Sequence, residues 1–281
     1  MKLKILTKIS LITNQKYLDN LISHLFLIGI TSFEEKESSV ELYVKPEEVS
    51  GIIKSVSDNF SGKTLDILVE EIENRNWNEE WQKSIEPIFI DNKLIIYPTW
   101  KKEEVRKYKG YIKIQIDPKM AFGTGHNETT QLVLKQMSKY LTRKDKFLFD
   151  FGCGTGVLAI AGIKMGIQKA VADDIDEDSI DNAIENFKLN KVYGKIKLYQ
   201  NSISDIKEKN FDVICANIIS SVIKENLDLI YLKLKPDGKL FLSGVLREEE
   251  KTLKYHLKKK GFNVMEVLRK SEWIGIYARK D

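Results

Sequence analysis

The sequence predicts an α/β chain in which a small α+β unit precedes a larger domain built on a mostly parallel sheet. Three features point that way. The first 70 residues run strand, helix, strand, strand, helix, strand. From residue 146 onward, short apolar runs alternate with segments of helical period, as in parallel sheets. The turn between the first such run and its helix, Asp150-Phe-Gly152-Cys-Gly154-Thr-Gly156, has glycine at every second place.

The elements follow in order. Lys2–Ile12 alternates polar and apolar residues like a strand, and Tyr17–Ile28 places apolar residues at a helical spacing. Ile30–Phe33 and Val40–Val44 are expected to be strands flanking a polar turn, Glu34–Ser39. Pro46 opens a helix that runs to about Phe60, since proline is tolerated in a first turn. Thr64–Glu70 alternates again. This β-α-β-β-α-β order is that of a ferredoxin-like α+β sandwich, assigned to residues 1–72. Residues 73–91 read as a linker in which Trp77 and Trp81, four apart, share one helical face. Residues 92–281 are assigned to the larger domain. Strand-like runs at Ile88–Pro98 and Tyr111–Ile116 frame a polar segment, Lys101–Lys109, expected to be mobile.

The stretch Asp117–Thr130 combines a proline, two glycines and several hydroxyl residues, and is expected to be a loop. Thr129 and Thr130 would cap a helix starting near Gln131, contact a ligand, or both. The run to Asp150 is a strand, and Ala159–Met165 continues a helix. Lys169–Asp176 is a strand ending in acids, followed by a helix over Asp181–Asn190. Ile196–Gln200 and Phe211–Ile219 are further strands, and Ser220–Leu234 a helix. Lys235–Gly238 is a turn, Lys239–Leu246 a strand and Glu248–Lys260 a charged helix. Phe262–Leu268 and Trp273–Ala278 close the chain as a hairpin, an antiparallel edge.

Composition narrows the function classes. With 281 residues, 42 % of them hydrophobic, the chain can bury a substantial core. No window approaches the apolar length of a membrane span, and no leader with a cleavage site opens the sequence. Two cysteines, Cys153 and Cys215, suit a reducing compartment, so a cytoplasmic location is expected. Residues 1–72 hold 8 basic and 11 acidic side chains, net −3, against 37 basic and 30 acidic in the remainder, net +7. Such a front unit favours a basic protein partner over RNA.

The ligand follows from spacing. The dinucleotide fingerprint is G-x-G-x-x-G, whereas here the run is G-x-G-x-G. Asp150, two places before Gly152, is an awkward neighbour for a pyrophosphate but a reasonable partner for an ammonium group. The pattern therefore leans toward S-adenosylmethionine, with Gly152, Gly154 and Gly156 letting the backbone approach it. Asp174, 18 residues beyond Gly156, stands where a carboxylate would accept from two ribose hydroxyls. Asp173 and Asp176 compete for that role. Asn217 ends a buried strand where open α/β sheets place their ligands, and would orient a nucleophile or cap the following helix. His126 has no second His or Cys at ligand spacing, so no metal is expected.

With these residues in view, the chain resembles the bacterial enzyme family that methylates protein eleven of the large ribosomal subunit. The motifs that carry the resemblance are Asn76-Trp-Asn-Glu-Glu-Trp81, the loop Asp117-Pro-Lys-Met-Ala-Phe-Gly-Thr-Gly-His-Asn-Glu-Thr-Thr130, the glycine loop, Asp174-Ile-Asp176 and Ala216-Asn217-Ile218. The resemblance implies a class I, Rossmann-like methyltransferase domain with a seven-stranded sheet. It also implies that Thr130, Gly152, Asp174 and Asn217 contact S-adenosylmethionine or line its site. Asn217 is the candidate for the catalytic role. The expected activity is multiple methylation of lysine side chains and the N-terminal amine of a large-subunit ribosomal protein, free or on the ribosome. Residues 1–72 would recognise it, with a monomeric chain, no membrane and no nucleic-acid contact required. The alternatives are a methyltransferase acting on RNA or a small molecule, a nicotinamide-dependent dehydrogenase, and a silent binding module. Two departures stand out: the loop's His lies one place earlier than is common in the family, and Lys119 replaces a glycine. No role is transferred to His126.

Overall fold

A computed structural model describes residues 6–30, 33–60, 64–72, 85–117 and 123–281, and the chain divides into two compact units, 1–84 and 85–281. Residues 73–84 of the expected linker, Trp77 and Trp81 among them, and positions 118–122 of the expected loop lie outside the described residues, while Ile88–Ile90 of that linker form a strand of the second unit.

The first unit holds β1 (Leu6–Thr13), α1 (Gln15–Leu27), β2 (Glu34–Lys36), β3 (Ser39–Val44), α2 (Pro46–Asn59) and β4 (Leu65–Ile72). Its sheet runs β2-β3-β1-β4, every pair antiparallel. Ile9, Leu11, Val40 and Leu42, alternating along their strands, are fully buried against Leu21, Leu25 and Val56 from the helices. Positions 31–32 of the strand expected at Ile30–Phe33 lie outside the described residues, and a strand forms at Glu34–Lys36, within the stretch expected to be a turn. Lys36 pairs with Ser39 and Glu34 with Glu41, so the turn is only Glu37-Ser38. All three residues of β2 are exposed, which leaves no apolar alternation to reveal it.

The second unit opens with β5 (Ile88–Ile90), β6 (Leu94–Tyr97) and β7 (Ile112–Gln115), a separate three-stranded sheet. The polar segment expected to be mobile is a 3₁₀ turn, Thr99–Lys101, and a short helix, α3 (Lys102–Val105). Val105 anchors it by burying against Ile95 and Tyr97, and Asp117 accepts from both the N–H and the hydroxyl of Thr99, each at 2.6 Å.

The remaining elements are α4 (Glu128–Tyr140), β8 (Phe147–Phe151), α5 (Val157–Lys164), β9 (Lys169–Asp174), α6 (Glu177–Leu189), β10 (Ile196–Gln200) and β11 (Phe211–Asn217). After them come α7 (Ser220–Glu225), α8 (Leu227–Lys233), β12 (Leu234–Leu246), α9 (Glu250–Lys260), β13 (Phe262–Lys270) and β14 (Trp273–Lys280). They build the seven-stranded sheet β10-β9-β8-β11-β12-β14-β13, parallel from β10 through β12, with β14 alone reversed and pairing antiparallel with β12 on one side and β13 on the other. Strand order reverses between β8 and β11, and in open α/β sheets ligands bind beyond the strand ends at such a point. Helix α4 starts at Glu128 with Asn127 at its N-cap position, so Thr129 and Thr130 lie in its first turn rather than at its cap. The expected turn at Lys235–Gly238 falls inside β12, as an irregularity with Asp237 at φ +61°. The helix expected over Ser220–Leu234 is two helices, divided at Asn226. Among the described residues, no helix is long and apolar enough to cross a membrane.

Candidate active site

Beyond β8 the chain turns on three glycines with positive φ, 69° at Gly152, 52° at Gly154 and 75° at Gly156. Two of them have a steric reason as well. A Cβ on Gly152 would stand 2.5 Å from Ile218 Cγ2, and one on Gly156 would stand 2.3 Å from Phe187 Cε1. The N–H groups that such a loop would offer to a phosphate are already engaged. Gly152 donates to Asp173 Oδ1 (3.1 Å), Cys153 to the Asp173 carbonyl (2.8 Å), Gly154 to Asp174 Oδ2 (2.8 Å) and Gly156 to the Cys153 carbonyl (2.8 Å).

The start of α5 is occupied too. Asp150 is fully buried, and its Oδ2 accepts from the N–H of Ala159, the third residue of that helix, at 2.9 Å. Its other oxygen has no partner, and burial, reinforced by Asp173 and Asp174, pushes its proton affinity well above the carboxylate range. A helix N-terminus that would otherwise attract a phosphate thus carries an internal acid.

A cavity of about 670 Å³ lies at the carboxyl ends of the strands. Of the residues expected from sequence, Gly152, Gly154, Asp174 and Asn217 line it. Thr130, Asp150 and Gly156 do not line it: Asp150 is drawn inward to α5, Gly156 is packed on Phe187, and Thr130 is buried behind Asn217. Thr130 Oγ1 accepts from Asn217 Nδ2 at 3.1 Å, so the amide is held with its N–H side committed. Asn217 Oδ1, buried in the wall, has no partner. An acceptor left unpaired at a cavity wall is unfavourable until a donor arrives, and this geometry waits for one.

The three acids after β9 separate cleanly. Asp176 caps α6, accepting from the N–H and hydroxyl of Ser179 at 3.0 and 2.8 Å. Asp174 is half-buried at the cavity and takes one backbone N–H on each oxygen, from Gly154 and Asp176, with lone pairs to spare. Asp173 is 1 % exposed; burial pushes it up to about 7, against the pull of the Gly152 N–H and with the added push of Asp174.

The upstream loop closes the site from one side. Thr155 Oγ1 donates to the Gly123 carbonyl (2.7 Å), and Gln131 Nε2 donates to the carbonyls of Gly125 (3.0 Å) and His126 (3.1 Å). His126 therefore lines the cavity, although no role was transferred to it. Asn201, Gly244 and Trp273 also line it and were not singled out from sequence. Asn201 follows the end of β10 and could have been found by the rule that selected Asn217. Trp273 begins an antiparallel strand, where that rule is silent. Among the described residues, no group of three or more His, Cys, Asp or Glu is placed to hold a metal ion.

A seven-stranded sheet with an antiparallel β14, a ligand cavity at the strand switch and a glycine loop bonded to carboxylates define a class I methyltransferase fold. The model of the ribosomal protein L11 methyltransferase (PrmA) family matches residues 12–281, and the chain belongs to that family. It is similar to the ribosomal protein L11 methyltransferase of Alkaliphilus oremlandii, 37 % identical over 209 residues that cover 74 % of this chain and 66 % of that one. The protein of the same name from Listeria innocua is 32 % identical over 263 residues, 93 % of this chain and 80 % of its own. A crystal structure of ribosomal protein L11 methylase from Lactobacillus delbrueckii subsp. bulgaricus superposes with a TM-score of 0.64 at 30 % identity, covering 70 % of this chain and 100 % of that one. The alignment with the Alkaliphilus protein thus spans about two thirds of that relative's length.

Proposed function

We propose that the chain transfers methyl groups from S-adenosylmethionine to lysine side-chain and N-terminal amines of ribosomal protein L11. The observation that carries this is Asn217 Oδ1, an unpaired acceptor fixed by Thr130 in the wall of a nucleoside-sized cavity. The residues fit the cofactor. Asp174 has acceptor capacity for ribose hydroxyls, Gly152 and Gly154 leave the backbone bare, and the loop N–H groups are unavailable to the phosphates of a dinucleotide. Bound there, S-adenosylmethionine supplies a methyl group on a sulfonium that is already a good leaving group.

The protein has to present a neutral amine in line and keep water out. A lysine amine carries a proton at neutral pH, its ordinary pKa being about 10.4, and entering a cavity lined by Phe151, Ile218 and Val222 favours the neutral form. Asn217 Oδ1 then accepts from one amine N–H and turns the lone pair toward the methyl. Residues 1–72, net −3, provide the docking surface for a basic protein, and the chain acts as a cytoplasmic monomer. Methylation of RNA is the weaker reading because that negative charge repels phosphates.

Incubation with labelled cofactor and a complete set of ribosomal proteins and RNA tests the proposal. Label is expected in L11, at lysine and N-terminal amines. Label confined to RNA or to small molecules would overturn it.

A further inference from the structure

Asp173 stands in the cavity wall without a task in the transfer itself. Its Oδ1 accepts from Gly152 N–H, while its Oδ2 is buried with no partner. An unpaired buried carboxylate oxygen is costly unless positive charge comes to it. The neighbours supply only part of that charge. Asp174 on the same strand and Asp150 on β8 are acids, and Cys153 beside them is a buried thiol. Lys233, at the end of α8, is the cation in range, but its ammonium donates to the carbonyls of Ile206 and Glu208. Elsewhere on the cavity wall stand His126 and Glu128.

We propose that ionised Asp173 is a charge selector: it favours the cationic cofactor over the neutral demethylated product, so that product leaves once the methyl has gone. This rests on the cofactor reading of the cavity. In the transfer, the amine lone pair forms the N–C bond, the electron pair of the C–S bond returns to sulfur, and the positive charge departs on the acceptor nitrogen. What stays behind is a thioether without the charge that Asp173 attracted. Because burial and Asp174 raise Asp173 to about 7, the selection operates above neutrality and fades below it.

Calorimetric titration of the full chain with S-adenosylmethionine and with S-adenosylhomocysteine, across the neutral range, tests this. Asp173→Asn is the paired variant, since its amide oxygen still accepts from Gly152. In the wild type, the affinity ratio of cofactor to product should rise about five- to tenfold from about pH 5.5 to about pH 8.5, as for a charge–charge attraction of about 1.4 kcal/mol. In the variant the ratio should be lower at high pH and flat. Titrations near pH 6.5, in buffers of different ionisation enthalpy, should show proton release with the cofactor and none with the product. Equal loss of affinity for both ligands would reduce Asp173 to a hydroxyl acceptor and overturn the proposal. An unchanged pH slope in the variant would assign the titration to another group, with the same result. If neither ligand bound, the cofactor reading would fall as well.

Discussion

Replacing Asp173 by Asn should make the folded chain more stable at alkaline pH, a direction opposite to that of most substitutions in a ligand site. The carboxyl titrates at about 7 in the folded chain rather than at 3.8, chiefly because it is buried. At about 1.4 kcal/mol for each pH unit, that displacement corresponds to about 4 kcal/mol. The sign follows from proton counting. Between roughly pH 4 and pH 7 the unfolded chain has lost this proton while the folded chain keeps it, so stability falls as pH rises through that window. Above pH 7 the loss is complete. An amide cannot ionise and removes the slope; the bond from Gly152 N–H, which favours the charged carboxylate, is already included in the value of about 7. The variant should therefore exceed the wild type by about 4 kcal/mol at pH 8.5, an increase of several degrees in melting temperature, and by only about 1 kcal/mol at pH 4.5. Urea unfolding at the two pH values measures the difference. The same difference at both, or a more stable wild type at pH 8.5, would refute the ionised buried acid. A residue that destabilises the fold at working pH is most simply retained for what it does to a ligand.

Asn217→Ala should lower methyl transfer about 10- to 100-fold while leaving cofactor affinity within about threefold, because under the proposed function the lost oxygen is the one that accepts from the amine; calorimetry beside a labelled-methyl assay separates the two. Thr130→Val should lower turnover in the same direction but less, since it frees the Asn217 amide without removing it. Asp174→Ala should weaken cofactor binding by about 1.5–3 kcal/mol, the range for a charged hydrogen-bond partner, and unchanged affinity would remove it from the ribose role. Gly156→Ala should destabilise the fold by about 2–4 kcal/mol in urea, because the residue has φ +75° and its new methyl meets Phe187.

What could be read from sequence was whatever leaves a periodic or compositional trace. The buried strands β8, β9 and β11 are apolar runs with a single reading, and the G-x-G-x-G spacing marks a turn that only positive φ can satisfy. Edge strand β2 left no trace because a fully exposed strand needs no apolar alternation. The segment Lys101–Lys109 reads as mobile because one buried valine among charges carries no period, yet that valine is enough to dock a short helix. At the site, sequence spacing located side chains along strands but not their depth. Asp150 and Asp174 are both acids near the ends of buried strands. One is sealed against α5 and the other opens to the cavity, a difference set by which neighbour claims each carboxylate.

The Asp173-Asp174 pair shows how strand geometry turns an ambiguity of sequence into a division of labour. Taken as letters, the two acids compete for one ribose. In a strand, successive side chains leave opposite faces of the sheet, so two adjacent acids cannot occupy one place. At the end of β9 they reach the glycine loop at separate points, Asp173 at Gly152 N–H and Asp174 at Gly154 N–H. Between them they engage two donors that a dinucleotide loop would give to its pyrophosphate. The loop is thereby rigid and short of free donors, a surface suited to a nucleoside without phosphates. Asp174, half-buried, keeps lone pairs for hydroxyls, whereas Asp173, buried and with one oxygen unpaired, is pushed up to about 7. The same alternation that builds the sheet thus gives the cavity one carboxylate with lone pairs open and another with a buried, unpaired oxygen.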